Sequence, residues 1–178
     1  MSRPLPGRNE EPQIVRAVER FDDFYLREFP RMVAVAYGLS GSRWAAEELA
    51  QEALLRAYKS WSKIATYDKP GAWLRRVTIN LATSHVRRRI SEAKAIARMA
   101  VGQRTPLQAH PDAERAFWDQ VHSLPRRQRE AVVLHYVDGL TTAEISEVLD
   151  VAESTVRTHL QRGRQAVTAA LDEGGELL

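Results

Sequence analysis

The sequence predicts an all-α protein, two small helical domains joined by a flexible linker. Apolar residues recur at helical spacing through most of the chain, and no stretch alternates with strand period for long enough to need a sheet. The periodicity weakens once, from Ile90 to Pro111, where "VGQRTPLQAHPD" carries Gly102, Pro106 and Pro111. The expected divisions are a disordered tail over 1–13, a first domain over 14–90, a linker over 91–111, a second domain over 112–173 and a short acidic tail over 174–178. No repeat of solenoid period is present.

The first helix is expected in "FDDFYLREFPRMVAVAYGLSG", where Phe21, Phe24, Tyr25, Phe29, Val33 and Tyr37 fall at helical spacings and Gly38 and Gly41 stop the run. Pro30 lies inside it and predicts a kink or a break. Ser42 is placed to cap a second helix reaching about Trp61, with Ala46, Leu49, Ala50, Ala53, Leu54, Ala57, Tyr58 and Trp61 as one continuous apolar stripe. "YDKPG" reads as a turn, and "AWLRRVTINLATSHVRRR" as a third helix. After the linker, "DAERAFWDQVHSL", "RRQREAVVLHYVDG", "TTAEISEVLD" and "ESTVRTHLQRGRQAVTAAL" give four more.

Composition narrows the function classes. The 178 residues are 44% hydrophobic and 28% charged, within the range of ordinary globular chains. With no cysteine, disulfides and thiolate metal sites are excluded, which fits a reducing cytoplasm. The start "MSRPLPGRNEEPQ" has no apolar run, so no secretory signal or membrane insertion is expected. The net charge is +3, and lysine occurs only at Lys59, Lys63, Lys69 and Lys94. Arginine suits bidentate contacts to phosphate and guanine, although a GC-rich genome produces the same bias. The five histidines lack metal-ligand spacing, and neither a glycine-rich phosphate loop nor a nucleophile elbow occurs. An enzyme, a metal centre and a bound cofactor are therefore not expected.

The most informative segment is "LTTAEISEVLDVAESTVRTHLQRGRQAV". Thr141 or Thr142 can cap a short helix with an apolar face of Ile145, Val148 and Leu149. Asp150 stands where the chain must turn sharply, and Asp tolerates the left-handed conformation. Ser154 is the expected cap of the next helix, whose Val156, Leu160, Gly163, Val167 and Leu171 share one face. Ser154, Thr155, Arg157, Thr158, Gln161, Arg162 and Arg164 occupy the rest. Arginine can fork onto guanine, glutamine onto adenine, and serine or threonine onto phosphate, which is the chemistry of major-groove reading by a helix-turn-helix.

Two helices of the first half carry unusual faces. Opposite the apolar stripe of the second helix stand Glu48, Gln51, Glu52 and Leu55, an acidic surface with one large apolar residue. A lone surface leucine is commonplace, but it is also how the centre of a protein interface looks. The third helix interleaves Trp73, Asn80 and Ser84 with Arg75, Arg76, Arg87 and Arg88. Trp73 suits a core position equally well. Together, aromatic, amide and guanidinium groups suit single-stranded or opened DNA, on which bases stack and arginines follow phosphates.

"AEELAQEALLRAYKSW", "PGAWLRRVTINLATSHVRR" and "LPRRQREAVVLHYVDGLTTAEISEVLDVAESTVRTHLQRGR" resemble, in order and over about Phe21 to Leu171, the extracytoplasmic-function (ECF) group of bacterial RNA polymerase sigma factors. The resemblance implies a region 2-like domain whose Glu48, Gln51, Glu52 and Leu55 dock on the clamp helices of core RNA polymerase. Its Trp73, Arg75, Arg76, Asn80, Ser84, Arg87 and Arg88 would recognise and help melt the downstream (−10) promoter DNA. It also implies a region 4-like domain, against the polymerase β flap, whose last helix reads the upstream (−35) element. The free protein would be a cytoplasmic monomer without cofactor, held inactive by an anti-sigma factor. Ser84 stands where the family often has Asp. A stand-alone helix-turn-helix regulator with a helical sensor or dimerisation domain is the alternative; it leaves the acidic face and the arginine-rich third helix unexplained.

Overall fold

A computed structural model describes residues 19–99 and 112–175. Among these residues there are eight helices and no strand: α1 (Phe21–Ser40), α2 (Arg43–Lys59), α3 (Trp61–Ile64), α4 (Pro70–Met99), α5 (Asp112–Ser123), α6 (Arg126–Tyr136), α7 (Thr142–Leu149) and α8 (Glu153–Gly175). The expected tail over 1–13 and the Pro-rich part of the expected linker lie outside the described residues.

Helix α1 continues through Pro30 to Ser40 without a break. Proline deprives the carbonyl four residues earlier, that of Leu26, of its helical partner. The Leu26 and Pro30 side chains are both exposed, so this lies on the wet side, where water can satisfy the carbonyl. The connection at Gly41 and Ser42 folds α2 back onto α1, and the Ser42 hydroxyl accepts the Ala45 N–H at 3.3 Å, as the capping pattern predicts. Small residues at Ala46, Ala50, Ala53 and Ala57, all fully buried, let α1 and α2 approach closely around Phe24, Met32 and Leu54.

The apolar stripe of α2 departs from expectation at its end. The helix stops at Lys59, and Trp61 opens the separate turn α3. There its indole N–H donates to the Glu19 carbonyl at 3.2 Å. Tyr58 is 62% exposed rather than buried, because it lies at the rim of an aromatic cluster, 5.0 Å from the Phe21 ring. Helix α4 also runs nine residues past Ile90, where the apolar periodicity weakens. Residues 90–96 are exposed throughout, so this extension rests on good helix formers and the Arg88–Glu92 pair rather than on core packing. At the other end α8 includes residues 174 and 175, assigned above to the tail.

In the second half, α7 and α8 form the expected helix-turn-helix. Thr141 caps α7 through a reciprocal capping box with Glu144. Asp150 takes the left-handed conformation, φ 55° and ψ 53°, and its N–H donates to the Ser146 carbonyl. Ser154 does not cap α8: the helix begins at Glu153, and the Ala152 carbonyl already accepts from Thr155 and Val156. Ser154 therefore sits in the first turn with its side chain exposed.

The two halves pack directly on each other. Gly38 of α1 is buried against α6, and a Cβ there would lie 2.9 Å from a Val133 methyl. Beside it Tyr37 meets Trp118 edge to face, with ring centroids 5.0 Å apart. The buried apolar residues form one continuous cluster, from Phe24, Leu54 and Leu74 in the first half to Val133, Ile145 and Val156 in the second.

Candidate nucleic-acid and protein interfaces

Three surfaces gather the residues singled out in the sequence. The first is the N-terminal half of α8. Val156 and Gly163 are buried and Leu160 and Val167 half-buried, which fixes the helix against α6 and α7. The opposite side exposes Ser154, Thr155, Arg157, Thr158, Gln161, Arg162 and Arg164. Among the described residues Arg157 pairs with Glu153, one turn earlier, at 3.0 Å. An exposed pair of this kind contributes little and exchanges readily for another anion.

The second surface is a groove of about 660 Å³ between α1 and α2. All four residues of the acidic face line it: Glu48, Gln51, Glu52 and Leu55. Leu55 is 45% exposed and stands outside the core, as its position among charges predicts. Phe21, Tyr25, Leu54 and Tyr58 supply the rest of the apolar lining, a contribution the α2 pattern alone does not reveal because two of the four come from α1. An apolar floor with carboxylates at its edge is suited to a helix that carries both apolar and basic side chains.

The third surface lies on α4. Trp73, Arg76, Asn80, Ser84 and Arg87 step by three, four, four and three along one side, with Arg88 adjacent. Trp73 is half-buried against the core; the others are exposed. Arg75 does not join them. It is buried, with a fork of two hydrogen bonds to Asp138 at 2.5 and 3.0 Å and a third to Glu28 at 3.2 Å. Burial alone would lower the Arg75 pKa. The hydrogen bond and charge of Asp138, joined by the charge and hydrogen bond of Glu28, outweigh it and hold the guanidinium above its ordinary value.

Residues 24–91 match the family model described as Sigma-70 region 2, and residues 114–167 that of Sigma-70, region 4. The ECF RNA polymerase sigma factor SigL of Mycobacterium tuberculosis is 30% identical over 147 residues, covering 79% of this chain and 82% of SigL. The chain belongs to the ECF sigma factor family. The ECF sigma factor SigE of Mycolicibacterium smegmatis is 34% identical over 161 residues, which cover 84% of this chain; the chain spans 60% of SigE. The fold is that of the sigma factor RpoE from Bartonella quintana, solved in complex with the anti-sigma factor NepR: TM-score 0.70 at 23% identity, over 85% of this chain and 96% of RpoE.

Within this sigma chain, further cations lie between the halves. Arg76 donates to the carbonyls of Glu147 at 2.6 Å and Val148 at 3.1 Å, and Lys69 pairs with Glu147. Both carbonyls belong to the last turn of α7, where helical partners run out and the helix dipole is negative. Among the described residues no group of three or more His, Asp or Glu could hold a metal, and no helix is long and apolar enough to cross a membrane.

Proposed function

We propose that this chain directs promoter-specific transcription initiation as a subunit of RNA polymerase. The observation that carries the reading is the presence, on one chain and in family order, of three unlike surfaces: an acid-rimmed apolar groove, an arginine-rich helix and a helix-turn-helix. The groove, with Leu55 as its apolar centre and Glu48, Gln51 and Glu52 around it, binds core polymerase at its clamp helices. Helix α8 enters the major groove of the upstream element, with Arg157 and Gln161 toward base edges and Ser154, Thr155, Thr158, Arg162 and Arg164 toward bases and phosphates. Helix α4 meets the downstream element as it opens, Trp73 and Asn80 toward bases and Arg76, Ser84, Arg87 and Arg88 toward the strand backbone. Arg75 joins this set only when its bonds to Asp138 and Glu28 are exchanged.

Neither small domain need bind DNA tightly by itself, because polymerase holds both and raises their effective concentration at the promoter. Arginine contacts to phosphate make the assembly strongly salt-dependent. An anti-sigma factor, of the kind seen bound to RpoE of Bartonella quintana, fits the same exposed faces and would keep the protein inactive in the cytoplasm.

Run-off transcription with purified core polymerase tests the reading: the chain should direct defined transcripts from promoters of its own genome, and their absence would overturn it. Leu55→Asp should abolish core binding in a pull-down while leaving the melting temperature within about two degrees, since an exposed position outside the core contributes little to stability.

A further inference from the structure

We infer that the cleft between α4 and the start of α6, with buried Leu39 of α1 at its base, is a binding site for a nucleoside di- or triphosphate. Neither polymerase nor promoter DNA is needed for this binding. Of the residues that line the cleft, only Arg87 belongs to a surface assigned above.

Size and charge select the ligand class. The cleft has a volume of about 560 Å³, inside the range of roughly 300–1,000 Å³ typical of small-molecule sites. Arg87 and Lys94 of α4 and Arg126 and Arg129 of α6 line it, against one carboxylate, that of Glu130. The Glu130 side chain is 1% exposed and is already neutralised by Arg126 at 3.4 Å and Arg127 at 3.0 Å. The cleft therefore keeps a surplus of positive charge, and an anion with more than one charge is needed to match it.

The cations of the cleft are poorly satisfied within the chain. Among the described residues Arg87 and Lys94 have no ion-pair partner. Arg126 is held loosely, because the Glu130 Oε1 beside it accepts no hydrogen bond. Arg129 donates to the His122 carbonyl at 3.0 Å, an uncharged acceptor. Burial lowers the Arg129 pKa, and the Glu130 charge opposes this only in part. A guanidinium half withdrawn from water, with no carboxylate bonded to it, gains most from an incoming anion. The remaining wall is apolar: Leu39, Val86 and Ile90, of which Ile90 is 50% exposed and takes no part in the core. A nucleobase covers such a patch while its phosphates reach the cations, and guanidinium planes stack on rings as well as forking onto phosphate. An inorganic polyphosphate would leave the patch wet, and an acyl carboxylate would leave most of the cations unmatched. A bound nucleotide and a downstream DNA strand would compete for Arg87.

Isothermal titration of the full chain with GTP, ATP and sodium tripolyphosphate tests this. Both nucleotides should give saturable one-to-one isotherms. Tripolyphosphate should bind about tenfold more weakly, because it cannot cover the apolar patch. Lys94→Glu with Ile90→Ser, both at exposed positions, should weaken nucleotide binding by about tenfold or more. Lys94→Glu alone serves should the pair impair folding. The charge-matched control is Lys63→Glu on α3, whose Trp61 packs on Phe24 near the other end of α1; it should leave nucleotide affinity unchanged. Saturating nucleotide should also raise the melting temperature of the wild type and not that of the double variant. An isotherm that does not saturate, equal affinity for tripolyphosphate and nucleotide, or equal loss of binding in Lys63→Glu and the cleft variants would each overturn the inference. Calorimetry requires no transcription, so its outcome is independent of the sigma reading.

Discussion

At the scale of single residues, the histidines show how little of a side chain's role follows from its type. His122 has no metal spacing and no catalytic neighbour, yet it lies where the two halves meet, its ring stacked on Trp118 and edge-on to Tyr37. Burial, with a smaller effect from the Arg129 charge, lowers its pKa; the backbone of Tyr37 and Gly38 and the Asp119 charge oppose this without reversing it. His85 shifts the same way through burial and the Arg88 and Arg89 charges. A base whose folded pKa is depressed binds fewer protons folded than unfolded. Its contribution is complete above the unfolded value, near 6.5, and is lost as pH falls through the folded value. The melting temperature should therefore decline as pH is lowered from about 7.5 to about 5.5. His122→Gln should flatten that decline by removing one of the two groups. Equal slopes for the variant and the wild type in pH-dependent melting curves would show that His122 carries none of it. Arg75 teaches the same lesson. Its place in an arginine-rich helix is legible in the sequence, but its buried partners Asp138 and Glu28 are 63 and 47 residues away, and no local pattern connects them.

At the scale of elements, sequence and structure agree at most positions where the signal is local, although Ser154 does not cap α8 and Pro30 does not break α1. The Ser42 cap, the Thr141–Glu144 capping box, the left-handed Asp150 and the exposed Leu55 all rest on residues within a turn or two of each other. Helix limits agree less well because they depend on what lies alongside. Periodicity marks a buried stripe, so the exposed end of α4 gives no such signal although its residues favour helix. Gly163 lies between these cases. Its position on the apolar stripe of α8 is legible, but the need for a residue without a side chain is not. That need comes from α6: a Cβ at Gly163 would lie 2.6 Å from a Val132 methyl, with Leu124 and Gln128 behind it. Gly163→Ala gains about 1 kcal/mol of helix propensity and incurs roughly 1–3 kcal/mol of overpacking, so the net effect is destabilising. Urea unfolding should show a lower midpoint, by an amount corresponding to about 1 kcal/mol. An unchanged or higher midpoint would mean that Val132 can move aside.

At the scale of the whole molecule, the two helical domains expected from the sequence pack directly on each other. Two observations govern how the pair should unfold. The apolar core is continuous across both halves, and the Arg75 cluster bridges them with buried charges. Removing the C-terminal half from α4 would leave Arg75 with Glu28 but without Asp138, and breaking one partner from a buried ion cluster typically costs about 3–5 kcal/mol unless water reaches the remaining charge. The halves should therefore lose structure together. Calorimetry on the intact chain should give a single transition with equal calorimetric and van't Hoff enthalpies. Gly38→Leu provides the contrast, because a side chain at that buried position must displace Val133 and Trp118 while leaving every charged residue in place. The α1–α6 contact would open, each half would retain its own helices, and the single transition should separate into two. Two transitions in the wild-type chain would mean that the interface is too weak to couple the halves. A single transition in Gly38→Leu would place the coupling in the Arg75 cluster, and Asp138→Asn in that background should then divide it.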